Sequence, residues 1–218
     1  MEFLIDFILH LDQHLIALVN DYGTLTYVIL FLIVFTETGL IVMPFLPGDS
    51  LLFAAGALSA LPNSALNIAV LIPLLIVAAL LGDNVNYFIG RFSGSYIKSK
   101  ERILFFKREY IEQTEAFYEK HGAKTIIMAR FVPIVRTIAP FVAGAGSMKY
   151  RNYILNCILG GALWVVGLSM LGYLFGNIPI IKDNFEKVII AIILISVLPM
   201  VVGYLTRKKD KKINSLNL

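Results

Sequence analysis

The chain has 218 residues, of which 58% are hydrophobic and only 16% charged, and its mean hydropathy is +0.77. Soluble domains run to about 45–50% apolar and about 25% charged, so this composition excludes a disordered chain, a nucleic-acid-binding arm and an ordinary soluble enzyme. The formal net charge of +4 conceals a sharp division: residues 1–90 hold seven acids (Glu2, Asp6, Asp12, Asp21, Glu37, Asp49, Asp83) and no base, and all 19 Lys and Arg lie at or beyond Arg91. Bases gather in the cytoplasmic loops of membrane proteins, so the division reads as a topology signal. No nucleic-acid partner is expected.

Residues 3–19 space apolar side chains at a helical period, with Asp6, His10, Asp12 and His14 opposite. This predicts an amphipathic helix in the membrane interface. His10 and His14 stand at i, i+4, but no third ligand is near and no metal site is expected. A basic n-region and a small-residue cleavage site are both missing, so no cleaved signal peptide is predicted. An apolar run from Tyr27 to Met43 is interrupted by Glu37, then broken at Pro44, Pro47, Gly48 and Asp49. The following run, 51–61, rises only about 17 Å as a helix, short of a hydrocarbon core about 30 Å thick. A re-entrant hairpin over about 37–61 therefore fits better than two complete spans. Residues 66–90 are long enough to cross, with Pro73 as an expected kink.

Residues 91–124 form a polar middle, in which Glu109–His121 reads as a second amphipathic helix ended by Gly122. Residues 123–148 repeat the earlier pattern: a short apolar run broken by Arg130, Pro133, Arg136 and Pro140 and closing on Gly144 and Gly146. Two further spans are predicted over 152–176 and 188–206, before a basic tail at 207–218. Cys157 is the only cysteine; it excludes an intrachain disulfide and reads as a structural thiol.

The order amphipathic helix, broken segment, full span thus occurs twice. The expected fold is an all-α polytopic integral membrane protein, a single membrane domain over 1–206. Repeat one is 1–92 and repeat two 109–176, with a final transmembrane helix at 188–206. The basic tail and the basic 91–124 segment are placed in the cytoplasm. The first hairpin then enters from outside and the second from inside, so the repeats are inverted, an arrangement typical of transporters. The N-terminus falls outside on this reading, and inside if 25–43 makes a full span.

Four charges sit at membrane depth: Glu37 and Asp49 in the first broken segment, Arg130 and Arg136 in the second. Each costs on the order of 2.5–3.5 kcal/mol at a helix centre, so they must pair, line a wet cavity or bind something. One reading is a structural salt-bridge cluster. The other is an anion site, since two guanidiniums six residues apart can both fork onto one phosphate while the carboxylates exchange protons or compete for them. A secondary polar group lies in GDNVNYFIGR (82–91): Asp83, Asn84, Tyr87 and Arg91. Tyr87 and Arg91 suit interfacial anchoring, whereas Asp83 needs a partner such as Arg91, Arg130 or Arg136. Trp164 reads as lipid-facing or core. Gly90–Gly94 and Gly172–Gly176 have GxxxG spacing, more often ordinary helix packing than a dimer seam; a homo-oligomer stays open. Nucleotide, zinc-protease and hydrolase motifs are absent, so neither an enzyme nor a cofactor is expected.

The stretches ETGLIVMPFLPGDSLLFAAGAL (37–58), GDNVNYFIGR (82–91), FYEKHGAKTIIMARFVPIVRTIAPFVAGAG (117–146) and GYLFG (172–176) resemble the DedA family of membrane proteins, also called the SNARE-associated or VTT family. The resemblance implies two inverted re-entrant hairpins in the bacterial inner membrane and movement of lipids between leaflets, chiefly of undecaprenyl phosphate. It also implies functional acids at Glu37 and Asp49 and functional arginines at Arg130 and Arg136. The expected activity is that of a flippase for a lipid with a phosphate head group, with protons and the bilayer as the other partners. Alternatives are a phosphatidylethanolamine flippase or scramblase, a proton-coupled small-cation exporter, and a membrane-organising protein that transports nothing.

Overall fold

A computed structural model describes residues 19, 21–39, 48–62, 64–97, 102–103, 106–107, 118, 122–146, 148–182, 184, 187–188 and 191. Most of the two expected amphipathic helices (3–19 and 109–121), Pro44 and Pro47, the last expected span and the basic tail lie outside these residues.

After a 3-10 turn at Gly23–Leu25, helix α1 runs Thr26–Gly39 and α2 runs Gly48–Ser59. Twelve residues of α2 extend about 18 Å, so the second apolar run does stop short of a bilayer's width. Helix α3 is Ile68–Ile97. It starts at Asn67, whose side-chain oxygen accepts the Ala69 N–H at 2.9 Å as a helix cap, while the Tyr27 hydroxyl accepts the Asn67 N–H at 2.6 Å and ties α1 to this start. Pro73 lies within α3, and the helix runs on beyond the expected end at residue 90. The polar middle contributes a two-rung antiparallel pair, β1 (Arg102–Ile103) with β2 (Phe106–Lys107), which the expected all-helical fold did not include.

Gly122 takes the left-handed conformation, φ +63°, and opens a 3-10 turn through Lys124. Helices α4 (Thr125–Ala129) and α5 (Pro133–Ala145) follow, then α6 (Tyr150–Phe175). The break between α4 and α5 falls where Val132 turns extended (φ −121°, ψ 108°) and Pro133 opens the next helix, the position at which a missing N–H costs nothing. Pro140 was expected to be a second break and is not. Helix α5 continues through it, leaving only the Arg136 carbonyl without its i+4 donor.

The packing crosses over between the two halves of the chain. Helix α2 lies on α6 and α5 lies on α3, while α1 also packs against α3. Both crossed seams are made by glycines. A Cβ on Gly56 would strike the Ser169 carbonyl and one on Gly172 the Phe53 carbonyl; on the other seam Gly144 meets the Tyr87 carbonyl and Gly90 the Phe141 carbonyl. In all four cases the glycine stands three residues past a carbonyl that meets its partner's glycine. Backbones this close gain dispersion and weak Cα–H···O contacts that any side chain would forbid. Both GxxxG pairs thus contribute glycines to packing within the chain: Gly90 and Gly172 as above, and Gly176 against Ala57.

Helix α2 is buried on nearly every side, with Leu51, Leu52, Ala54, Ala55 and Leu58 in one core with Leu30, Val34, Leu71, Leu75 and Trp164. A second core gathers Tyr87, Ile126, Ala139, Ala143, Tyr153 and Cys157. The outward faces are as apolar as these cores: α3 exposes Val70, Val77, Leu81, Val85 and Phe88, and α6 exposes Leu155, Leu159, Leu163, Leu171 and Leu174. Meanwhile Asp83, Asn86 and Ser169 point inward from the same two helices and are buried. That reverses the soluble pattern and suits lipid outside and polar groups within. Both α3 and α6 are long and apolar enough to cross a membrane.

Candidate functional site

Five ionisable side chains from five places in the sequence meet where the short helices abut. Glu37 comes from the last turn of α1, Asp49 from the first turn of α2, Asp83 from mid-α3, Arg130 from the end of α4 and Arg136 from the first turn of α5. The helix interruptions are what bring them there. A continuous helix through 26–59 or 125–145 would carry each charge away from its partner along the axis at about 1.5 Å per residue. Gly48 is required here, because a Cβ at this position would overlap the Glu37 carboxylate.

Arg136 bridges two acids. Its Nη1 donates to Asp49 Oδ1 at 2.6 Å and its Nη2 donates to Glu37 Oε1. Arg130 does the opposite, placing both terminal nitrogens on the single oxygen Asp83 Oδ2, with Nη1 at 2.6 Å. The same oxygen accepts the Cys157 thiol at 3.1 Å, and the Asp83 carbonyl accepts the Tyr153 hydroxyl at 2.8 Å. The Arg130 side chain also packs against Gly160 and Gly161 of α6. Glu37 is 1% exposed and Arg130 7%; Arg136 and Asp49 are the most open of the five, at 10% and 15%.

All four charges singled out in the sequence are therefore brought together, but not as two acids facing two bases. Asp83, expected in a secondary group, belongs to the main cluster, and that group divides. Asn84 turns to the Leu80 carbonyl (2.6 Å) and accepts the Tyr150 hydroxyl (2.8 Å). Tyr87 is no interfacial anchor: it is fully buried, stacks on Tyr153 at 4.3 Å and donates to the Met148 carbonyl at 2.7 Å. Arg91 is exposed. Cys157 is buried, in the structural position expected of it.

Two further residues, Trp164 and Asn86 (the latter one of the polar residues of 82–91), join the cluster in roles that the sequence did not assign them. Trp164 is buried in the core; its indole N–H donates to Asp49 Oδ1 at 2.7 Å, and the guanidinium carbons of Arg136 and Arg130 lie over its ring, 5.1 and 5.5 Å from the centroid. The available signal was that an indole N–H deep in an apolar span needs an acceptor. Asn86 donates from Nδ2 to the Thr137 carbonyl at 2.7 Å and to the Thr38 carbonyl at 3.5 Å. These carbonyls adjoin Arg136 and Glu37, so one amide pins the backbones that carry the bridged pair.

With three carboxylates and two guanidiniums, the fully ionised cluster has a formal charge of −1. Glu37 Oε2 and Asn86 Oδ1 are buried without a hydrogen-bond partner among the described residues. Such a cluster can take up one proton, or can exchange a carboxylate for another anion on Arg136.

A VTT domain model matches residues 46–174. Protein DedA of Escherichia coli K12 is 53% identical over 207 residues, covering 95% of this chain and 94% of that protein. Membrane protein Rv0364 of Mycobacterium tuberculosis H37Rv is 46% identical over 172 residues (79% and 75%), and inner membrane protein YqjA of E. coli K12 is 33% identical over 177 residues (81% and 80%). No solved structure matches. With more than half of its length in the domain match and half its residues shared with one relative end to end, the chain belongs to the VTT-domain (DedA) family.

Proposed function

We propose that this protein is a lipid transporter of a bacterial inner membrane that moves a phosphate-headed lipid, a polyprenyl phosphate such as undecaprenyl phosphate, between leaflets. The observation that carries the reading is the bridging of Arg136 by Glu37 and Asp49. A guanidinium held by two carboxylates presents the fork that a phosphate would occupy, and Arg136 and Asp49 are the most open of the cluster. Protonation of Glu37 would release one arm of Arg136 to the head group, and deprotonation would expel it, which couples lipid movement to protons. Only the head group needs a polar path, because the prenyl chain stays in the bilayer.

Two inverted repeats with re-entrant hairpins belong to this reading. The matched glycine seams support them: Gly56 and Gly172 meet each other's helices as Gly144 and Gly90 do, a correspondence of contacts that exchange of halves about a two-fold axis would produce. The relative YqjA is named an inner membrane protein, which supports the location. A zwitterionic phospholipid is the second reading, favoured by the third carboxylate, since an acid in excess over the arginines could meet an ammonium.

Liposomes carrying labelled undecaprenyl phosphate test the first reading. Arg136→Ala is expected to abolish protein-dependent flipping. Flipping at the parent rate would remove Arg136 from the head-group site. Phosphatidylethanolamine in excess separates the two lipids, slowing the labelled lipid only if it shares the site.

A further inference from the structure

Trp164 is not among the residues to which the reading above gives work, yet it touches two of them, Asp49 and Arg136, and Arg130 beside them. Its indole N–H and an Arg136 N–H arrive at the same atom, Asp49 Oδ1, at 2.7 and 2.6 Å. Both guanidiniums lie over its ring, and the side chain is 4% exposed. A carboxylate oxygen that loses its arginine is left less costly where a second donor remains on that same atom. Here the indole donor stays behind. The ring meanwhile limits where the two guanidiniums can turn, and a desolvated aromatic face is itself attractive to them.

We infer that Trp164 is the positioning residue of the cluster: it aligns Arg130 and Arg136 over one ring and leaves Asp49 a hydrogen bond when Arg136 turns to an anionic phosphate head group. The inference rests on the phosphate reading and adds a residue to it. Without the donor, Asp49 holds Arg136 harder and an incoming phosphate competes less well. Without the ring as well, the two guanidiniums lose their common seat. A tryptophan that merely filled space would change stability and leave affinity alone.

Trp164 is the only tryptophan of the chain, so its emission reports this position alone. The test uses the full chain purified in maltoside micelles, with dodecyl phosphate as probe and affinity measured by calorimetry. Binding is expected to shift the parent's emission. Trp164→Phe keeps a ring and loses the donor, and is expected to bind about threefold more weakly; Trp164→Leu loses both, and is expected to bind about thirtyfold more weakly. Melting temperatures establish that each variant is folded, and Trp164→Phe carries the test if the leucine variant is not. Parent-like affinity in folded Trp164→Phe and Trp164→Leu would overturn the positioning role and leave the phosphate reading intact. Binding without any change in parental emission would do the same. A parent that does not bind dodecyl phosphate overturns the phosphate reading and this inference with it. Inorganic phosphate is the second arm: much weaker binding than dodecyl phosphate supports a lipid head group, and equal binding identifies a free anion, for which the same ranking of variants must hold.

Discussion

Asp83 accepts both terminal nitrogens of Arg130 on one carboxylate oxygen, and a thiol from Cys157 on the same atom. Three donors thus converge on one oxygen, while Arg136 spreads its donors over two acids. The two arginines are therefore not equivalent: one is locked to a single long helix, the other is shared between two short ones.

Removing half of the locked pair should be costly. Asp83→Asn leaves Arg130 buried beside a neutral amide, with an expected loss of about 3–5 kcal/mol, whereas Asp83→Asn with Arg130→Met should recover most of it. Thermal melting of the purified variants in detergent checks the pattern. Recovered stability without recovered lipid flipping would separate the fold from the function at Arg130.

Arg136→Lys should fail where charge alone would suffice. One ammonium cannot reproduce the planar fork that reaches Asp49 and Glu37 together, so flipping is expected to fall at least tenfold with the protein still folded. A lysine variant that flips at the parent rate would show that Arg136 acts as a point charge.

Glu37→Gln removes the carboxylate proposed to take up the proton and keeps its shape. Flipping by this variant is expected to respond no longer to a pH gradient imposed across the liposome, and a preserved response would assign coupling to Asp49 or Asp83.

Gly56→Val and Gly144→Val drive a side chain into the Ser169 and Tyr87 carbonyls respectively. Each is expected to lose about 1–3 kcal/mol or more through overpacking, against little change for Gly167→Val, since among the described residues nothing lies within 4 Å of a Cβ at Gly167. Melting curves of the three variants, compared side by side, measure the seams.

What could be read from the sequence followed from period and length. The spans α3 and α6 announced themselves by the length of their apolar runs, and the short segments by closely spaced charges and prolines. Pro140 misled because a proline inside a helix reads as a break, yet α5 lost one hydrogen bond and held its course. The cluster's membership was half legible. Glu37, Asp49, Arg130 and Arg136 stood out as charges among apolar neighbours, but their pairing is set by the crossed packing of helices far apart in sequence, which no local pattern encodes. Trp164 stayed hidden because an aromatic residue in an apolar run looks the same whether it faces lipid, core or a carboxylate. Asn86 stood out as polar within 82–91, but its part in the cluster stayed hidden because its partners are backbone carbonyls.

The crossed seams also bear on how the chain is made. Helix α2 rests on α6 and α3 on α5, so neither half completes its own interior. When a ribosome has delivered residues 1–97, Glu37 and Asp49 have already been made, while the arginine that neutralises them is still about forty residues away. The first half must wait in the bilayer as an unfinished, acid-bearing intermediate. It follows that the two halves, expressed as separate polypeptides, should each be degraded alone and survive together.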